Sequence, residues 1–127
     1  DPQFSLFNIY FHKPSKNIVK EYQTSDVFCL PSLYEGFPNV ICEAMSCGLP
    51  ILCSNVCDNP MIVEEGVNGF LFDPNKSEDI YFTSSEFLNL NEESVECMGK
   101  NSRIYILYRN AKRVFGDSYE KLVGSGV

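Results

Sequence analysis

Short apolar runs alternate with stretches whose apolar residues recur at helical spacing, a pattern that predicts βα units on a parallel sheet. Phe4 to Phe11, rich in Phe, Ile and Tyr, predicts a strand that stops before Pro14. Ser15 is suited to cap a helix reaching about Thr24, with Ile18, Val19 and Tyr22 at helical spacing. Val27-Phe28-Cys29-Leu30 is apolar without alternation, as in a parallel strand buried on both faces. After the Pro- and Gly-rich segment Pro31 to Pro38, a helix is expected over Val40 to Cys47, with Val40, Ile41, Ala44 and Met45 on one stripe. Gly48 fits its C-cap and Pro50 forbids continuation.

The next buried strand is expected over Pro50 to Ser54, followed by the loop Asn55 to Asn59 and a short helix over Pro60 to Glu65. Gly66 and Asn68-Gly69 turn the chain into a strand at Phe70 to Phe72, closed by Pro74. Ser77 to Leu88 reads as a helix with Glu78 and Asp79 in its first turn, where the helix dipole favours acids. A last helix is expected from Glu92 to Phe115, interrupted near Gly99. Its inward stripe is expected to be Ile104, Leu107, Tyr108, Ala111, Val114 and Phe115, with Arg109, Lys112 and Arg113 facing away. The expected fold class is α/β, in three helix–sheet–helix layers around a short parallel sheet of three or four strands.

At 127 residues and 44 % hydrophobic content, the chain is one domain of ordinary globular composition, which excludes a coiled coil, a fibre or a disordered segment. Its net charge of −7 disfavours nucleic-acid partners. The charge is uneven: residues 1–99 hold 4 basic and 15 acidic residues, residues 100–127 hold 6 and 2. The basic end suits a solvated helix face or peripheral contact with an acidic membrane. No apolar run approaches the ~18–20 residues that span a bilayer, and no signal peptide is visible. The six cysteines lie among strand-like and helix-like residues, which favours reduced thiols and a cytoplasmic location, with Cys29 and Cys53 packed in the core. Their spacings do not suit a structural zinc site.

Chemistry concentrates between Pro31 and Glu43, after a strand and at the start of a helix, where open α/β sheets bind ligands. The amides of Gly36, Phe37, Asn39 and Val40 can hold a phosphate at the helix N-terminus; Pro38 has no N–H to give. Glu35 and Glu43 flank this cluster as hydroxyl acceptors. Two acceptors around a phosphate cradle match what a nucleotide sugar requires. The lone His12 reads as a surface residue, the carboxylates of Glu64, Glu65 and Asp73 as solvated, Tyr34 as a cover for its own core or a stacking contact for a donor, Ser32 as a tie for the loop backbone or a phosphate contact, and the Asn55–Asn59 loop as equally suited to plain connection or to ligand contact.

Asp26-Val-Phe-Cys-Leu-Pro-Ser32, Glu35-Gly-Phe-Pro38, Glu43-Ala-Met-Ser-Cys-Gly-Leu-Pro50 and Gly66-Val-Asn-Gly-Phe-Leu-Phe-Asp-Pro74 together resemble the C-terminal domain of retaining GT-B enzymes of glycosyltransferase family 4, from about residue 4 to 123. The resemblance implies a Rossmann-like GT-B half that binds a nucleotide-diphosphate sugar and transfers the sugar to an acceptor hydroxyl with retained configuration. Glu43 then matches the second Glu of the family's E-x7-E motif, an acceptor for ribose hydroxyls. Glu35 matches the first, a catalytic group that orients the sugar and stabilises positive charge at its anomeric centre. Gly36, Phe37, Asn39 and Val40 match the sugar and diphosphate cradle. The family's chemistry implies no metal and no cofactor.

Departures matter as well. No equivalent of the family's diphosphate-neutralising Arg and Lys is found; Lys13, Lys16 and Lys20 sit in no matching motif. Residues 1–127 therefore read as a partial donor-binding domain, lacking its first βα segments and the N-terminal acceptor domain that would engage a glycan or lipid-linked acceptor. Alone it is expected to be inactive and to bind nucleotide weakly, and an uncovered sheet edge would favour a homodimer. The other readings are a non-catalytic α/β nucleotide-binding or assembly module and another GT-B enzyme such as a nucleotide-sugar epimerase.

Overall fold

A computed structural model describes residues 13–34 other than 15, and residues 39–116. The strand expected over Phe4 to Phe11, and the cap expected at Ser15, lie outside the described residues. Three parallel strands, β1 (Phe28–Leu30), β2 (Ile51–Ser54) and β3 (Gly69–Phe72), form a sheet in the order β1-β2-β3. The registers Phe28 opposite Ile51 and Leu52 opposite Phe70 align their carboxyl ends. Helices α1 (Ile18–Gln23), α2 (Asn39–Ser46), α3 (Asn59–Ile62), α4 (Ser77–Leu88) and α5 (Glu92–Phe115) complete the α/β architecture.

Strand alternation divides the core between the two sheet faces. Ile51 and Cys53 pack with Ile41, Ala44, Met45, Val63 and Ile106 on one face. Leu52, Phe70 and Phe72 pack with Phe87 and Met98 on the other. The long helix α5 serves both, Met98 on one face and Ile106 on the other. All four residues of β2 are buried, as a central parallel strand requires. β1 differs from expectation: Phe28 and Leu30 are half-buried and Cys29 is exposed rather than packed in the core. Among the described residues β1 pairs only with β2.

Helix α1 starts later than expected and takes its cap from Asn17, whose Oδ1 accepts from the Lys20 amide at 3.3 Å. Tyr22 is buried edge-on against Phe28, whereas Ile18 and Val19 stay exposed because this helix of 6 residues presents only one side chain to the core. In α2, Ile41, Ala44 and Met45 point inward and Val40, expected on the same stripe, is exposed at the first turn. Gly48 ends the helix with φ of 78°, a left-handed conformation that costs glycine least.

Helix α3 ends at Ile62 rather than Glu65 because Asn68 intervenes. Its buried side chain donates to the Ile62 carbonyl at 2.9 Å and accepts from the Glu64 amide at 2.8 Å. These bonds replace the next helical ones and turn the chain toward β3. Helix α4 spans the expected residues, and Asp79 in its first turn accepts from the Asp73 amide at 2.6 Å.

The expectations for α5 need two corrections. The helix runs unbroken through Gly99, which lies against the carbonyl of Gly48; a Cβ on Gly99 would occupy the space of that oxygen. Glycine weakens the helix by ~1 kcal/mol relative to alanine but permits this backbone approach. The inward stripe is also not the expected one. Met98, Ser102 and Ile106 are buried, while Ile104, Leu107, Tyr108 and Val114 are exposed and Ala111 is half-buried. The side chain of Phe115 lies outside the described residues. Polar anchors set the rotation: Ser102 Oγ donates to the Asn68 carbonyl at 3.2 Å, Asn101 Nδ2 to that of Val67 at 2.9 Å, and Tyr105 Oη to that of Met61 at 3.0 Å. Arg109, expected to face away, is half-buried beside Cys42, with 4.0 Å between guanidinium and Sγ.

Replacing Gly99 by Ala is expected to destabilise the fold by about 1–3 kcal/mol, the usual overpacking cost, despite alanine's better helix propensity. Thermal unfolding of the variant against the parent chain measures it; an unchanged or higher midpoint contradicts the close packing of Gly99 on Gly48.

Candidate functional site

The carboxyl end of β1 leads through residues 31–38 into α2, so this helix opens beside the carboxyl ends of the strands. Its first-turn amides have no acceptor within the helix and face a region where the dipole is positive. Asn39 and Val40 stand exposed there, and Glu43 follows one turn later on the exposed side of α2. The structure thus brings three of the expected site residues together. Glu35, Gly36 and Phe37 lie outside the described residues.

Glu43 has a partner that spacing along the chain does not announce. The hydroxyl of Tyr22, on α1, donates to Glu43 Oε2 at 3.3 Å. Burial, reinforced by the Glu43 carboxylate, pushes the Tyr22 phenol above its ordinary value, so the hydroxyl keeps its proton. A retained proton makes Tyr22 a lasting donor, holding one carboxylate oxygen and leaving the other for a ligand hydroxyl. Below Glu43, Cys42 lies between α2 and α5; burial raises its thiol and the Arg109 guanidinium opposes that rise.

The strand ends beside the site are tied by a short polar chain. Ser54 Oγ donates to the Leu30 carbonyl at 3.2 Å, and Asn59 Nδ2 donates to the Ser54 carbonyl at 2.9 Å. Asn59 is fully buried, and its Oδ1 has no hydrogen-bond partner among the described residues. Between them, Cys57 holds a left-handed φ of 51°. The Asn55–Asn59 loop is therefore a shaped turn anchored at both ends. Of the acids expected to be solvated, Glu64 and Glu65 are exposed and Asp73 is half-buried; two of them also cap backbone, Glu65 accepting from the Leu71 amide at 3.2 Å and Asp73 from the Asn75 amide at 2.9 Å. Among the described residues no three His, Cys, Asp or Glu side chains are grouped to hold a metal ion.

This arrangement, a helix opening at the carboxyl edge of a parallel sheet with a carboxylate one turn in, places backbone donors and a hydroxyl acceptor side by side where open α/β sheets take ligands. Residues 7–105 match the family Glycosyl transferases group 1, and the chain belongs to that family. It is 38% identical over 109 residues to the spore coat protein SA of Bacillus subtilis, covering 85% of this chain and 27% of that protein. It is 40% identical over 101 residues to the UDP-Gal:alpha-D-GlcNAc-diphosphoundecaprenol alpha-1,3-galactosyltransferase of Escherichia coli, covering 77% of this chain and 24% of the enzyme. The chain thus spans about a quarter of the length of these relatives. Among solved structures it superposes with a TM-score of 0.76 on the Anabaena protein HepE in complex with UDP and glucose, at 22% identity, over 98% of this chain and 35% of that one. The sucrose-phosphate synthase of Thermosynechococcus elongatus gives a TM-score of 0.71 at 22% identity, over 98% of this chain and 33% of that one. These likenesses establish the GT-B type of α/β fold. Among the described residues no helix is long and apolar enough to cross a membrane.

All six cysteines are free, and they differ in chemistry. Burial, with Cys29 and Glu65 nearby, pushes the Cys53 thiol up to about 12, while Cys57 and Cys97 are exposed. At about pH 8 exposed Cys57 and Cys97 are expected to alkylate in the folded chain, exposed Cys29 more slowly because desolvation pushes its thiol up, and Cys53 only after denaturation, because the thiolate is the reacting species. Mass mapping of labelled peptides checks this; labelling of native Cys53 contradicts its place in the core.

Proposed function

We propose that this chain supplies the donor side of a retaining glycosyltransferase of family 4 type: it binds a nucleotide-diphosphate sugar whose sugar passes to an acceptor hydroxyl with retained configuration. The observation that carries the reading is Glu43, exposed one turn into α2, beside the first-turn amides of Asn39 and Val40 and held by Tyr22. In this reading Glu43 accepts from the ribose hydroxyls. The amides of Gly36, Phe37, Asn39 and Val40 hold sugar and diphosphate, and the positive end of α2 stabilises charge as the diphosphate leaves. Glu35 orients the sugar and stabilises the developing positive charge at its anomeric carbon. Neither metal nor cofactor takes part.

The ligands and activities of the similar proteins support the class. HepE is described with UDP and with UDP-glucose, and the similar galactosyltransferase is named for UDP-Gal and a diphosphoundecaprenol-linked sugar. A glycan or lipid-linked acceptor is accordingly proposed for the whole enzyme, engaged by segments beyond this donor half. Strand β1, which among the described residues pairs only with β2, is the edge at which a homodimer would form.

Titration with uridine, guanosine and adenosine diphosphates, followed by amide-resolved NMR, tests the reading. Shifts are expected at Asn39, Val40 and the amides preceding them. Glu43→Ala is expected to weaken binding by about tenfold or more, the range of a hydrogen bond to a charged group. Absence of shifts at millimolar nucleotide, or binding indifferent to Glu43, overturns it. The chain alone is expected to show no sugar transfer; measured turnover by it contradicts its assignment as a donor half only.

A further inference from the structure

We propose that Asn68-Gly69 is a deamidation site held closed by the native fold, so that the chain is chemically marked there only while it is unfolded. It is the only Asn-Gly step in the sequence. The fold dictates both of its residues. A Cβ at position 69 would collide with the Ile51 carbonyl, so β3 can start in register against β2 only with glycine there. Asn68 uses every polar atom it has. Its amide donates to the Glu64 carbonyl at 3.3 Å, and its carbonyl accepts from the Ile51 amide at 3.1 Å and from the Ser102 hydroxyl at 3.2 Å. Its side chain bonds at both ends, Nδ2 to the Ile62 carbonyl and Oδ1 to the Glu64 amide.

The dipeptide that these constraints produce is chemically labile. With no Cβ beside it, the Gly69 nitrogen is the least hindered attacking group a main chain offers. Once base has taken its proton, that nitrogen forms a bond to Asn68 Cγ, and the Cγ–Nδ2 bond breaks, Nδ2 leaving as ammonia with a proton from water. Water then adds to either carbonyl of the resulting succinimide and opens the ring, to aspartate or to isoaspartate. The net change consumes a water and releases an ammonia, with no oxidant or cofactor.

Folding stops the first step. Attack requires rotation about the Cα–Cβ and Cα–C bonds of Asn68 to bring Cγ onto the Gly69 nitrogen. The side-chain bonds to Ile62 and Glu64 hold the first rotation, and the carbonyl bonds to Ile51 and Ser102 hold the second. At 2% exposure, Asn68 is also shielded from base and water. Neither product can rebuild the turn. Aspartate replaces the donor to the Ile62 carbonyl by a carboxylate facing it, buried and unpaired. Isoaspartate adds a methylene to the main chain just before Gly69 and moves β3 out of register with β2.

The proposal does not depend on the donor-site reading and is tested without nucleotide. The chain is incubated in mildly alkaline buffer at guanidinium concentrations that span its unfolding transition, which circular dichroism follows. Peptides covering position 68 are then resolved by liquid chromatography and mass spectrometry into unmodified, aspartate and isoaspartate forms. Loss of Asn68 is expected to be at least about tenfold slower in the native chain than in the unfolded one, and to track the unfolded fraction between them. On removal of denaturant, the chains that regain the native spectrum are expected to lack isoaspartate, and Asn68→Asp is expected to lower the thermal midpoint or to prevent folding. Equal rates of loss in native and unfolded chains overturn the proposal. So does a marked chain, or Asn68→Asp, that folds with the parent's midpoint.

Discussion

Asn68 is nearly fully buried and bonds to three parts of the structure. Its side chain terminates α3 at Ile62 and holds the Glu64 amide; its carbonyl receives the Ile51 amide and the Ser102 hydroxyl. One residue thus ends a helix, starts β3 in register with β2 and fixes how α5 is rotated about its axis. A polar side chain this buried would be costly without partners, and its full satisfaction makes the turn single-valued. The two cores and the outward face of α5 all follow from that rotation.

The strand ends are fixed by a similar device. Ser54 and Asn59 join the carboxyl ends of β1 and β2 to the start of α3 by one partly buried and one buried hydrogen bond, which tie together the floor beside α2. On that floor the dipole of α2 and the Glu43 carboxylate stand with opposite sign, one turn apart. Tyr22 reconciles them with its own surroundings: a phenol from α1, backed by Phe28, fixes where the carboxylate points. Anion binding and hydroxyl binding can therefore share one short helix without the acid folding back on the amides.

Much of this was legible along the chain. The β2 and β3 strands, the start and end of α4 and the Gly48 stop follow from local features: buried apolar runs, acids in a first turn, a glycine before a proline. Asn39, Val40 and Glu43 were also readable, because a helix after a parallel strand places them at its opening whatever the distant chain does. The rotation of α5 was not. Apolar residues occur on both of its sides, and the choice between Ile104 and Ile106 was made by small and polar residues, Gly99, Asn101 and Ser102, whose partners lie more than 30 positions away. The Tyr22–Glu43 bond and the exposure of Cys29 escaped for the same reason, since neither side-chain pairing nor position at a sheet edge is encoded locally.

The division of α5 between two cores bears on how the chain acquires its structure during synthesis. Met98 completes one side of the sheet and Ile106 the other, so neither side is sealed until that stretch has left the ribosome. The strands emerge first, short and apolar, with Phe70, Phe72, Ile51 and Met45 still missing a cover. Closure of both layers then comes in one late step, when a single helix docks along its length.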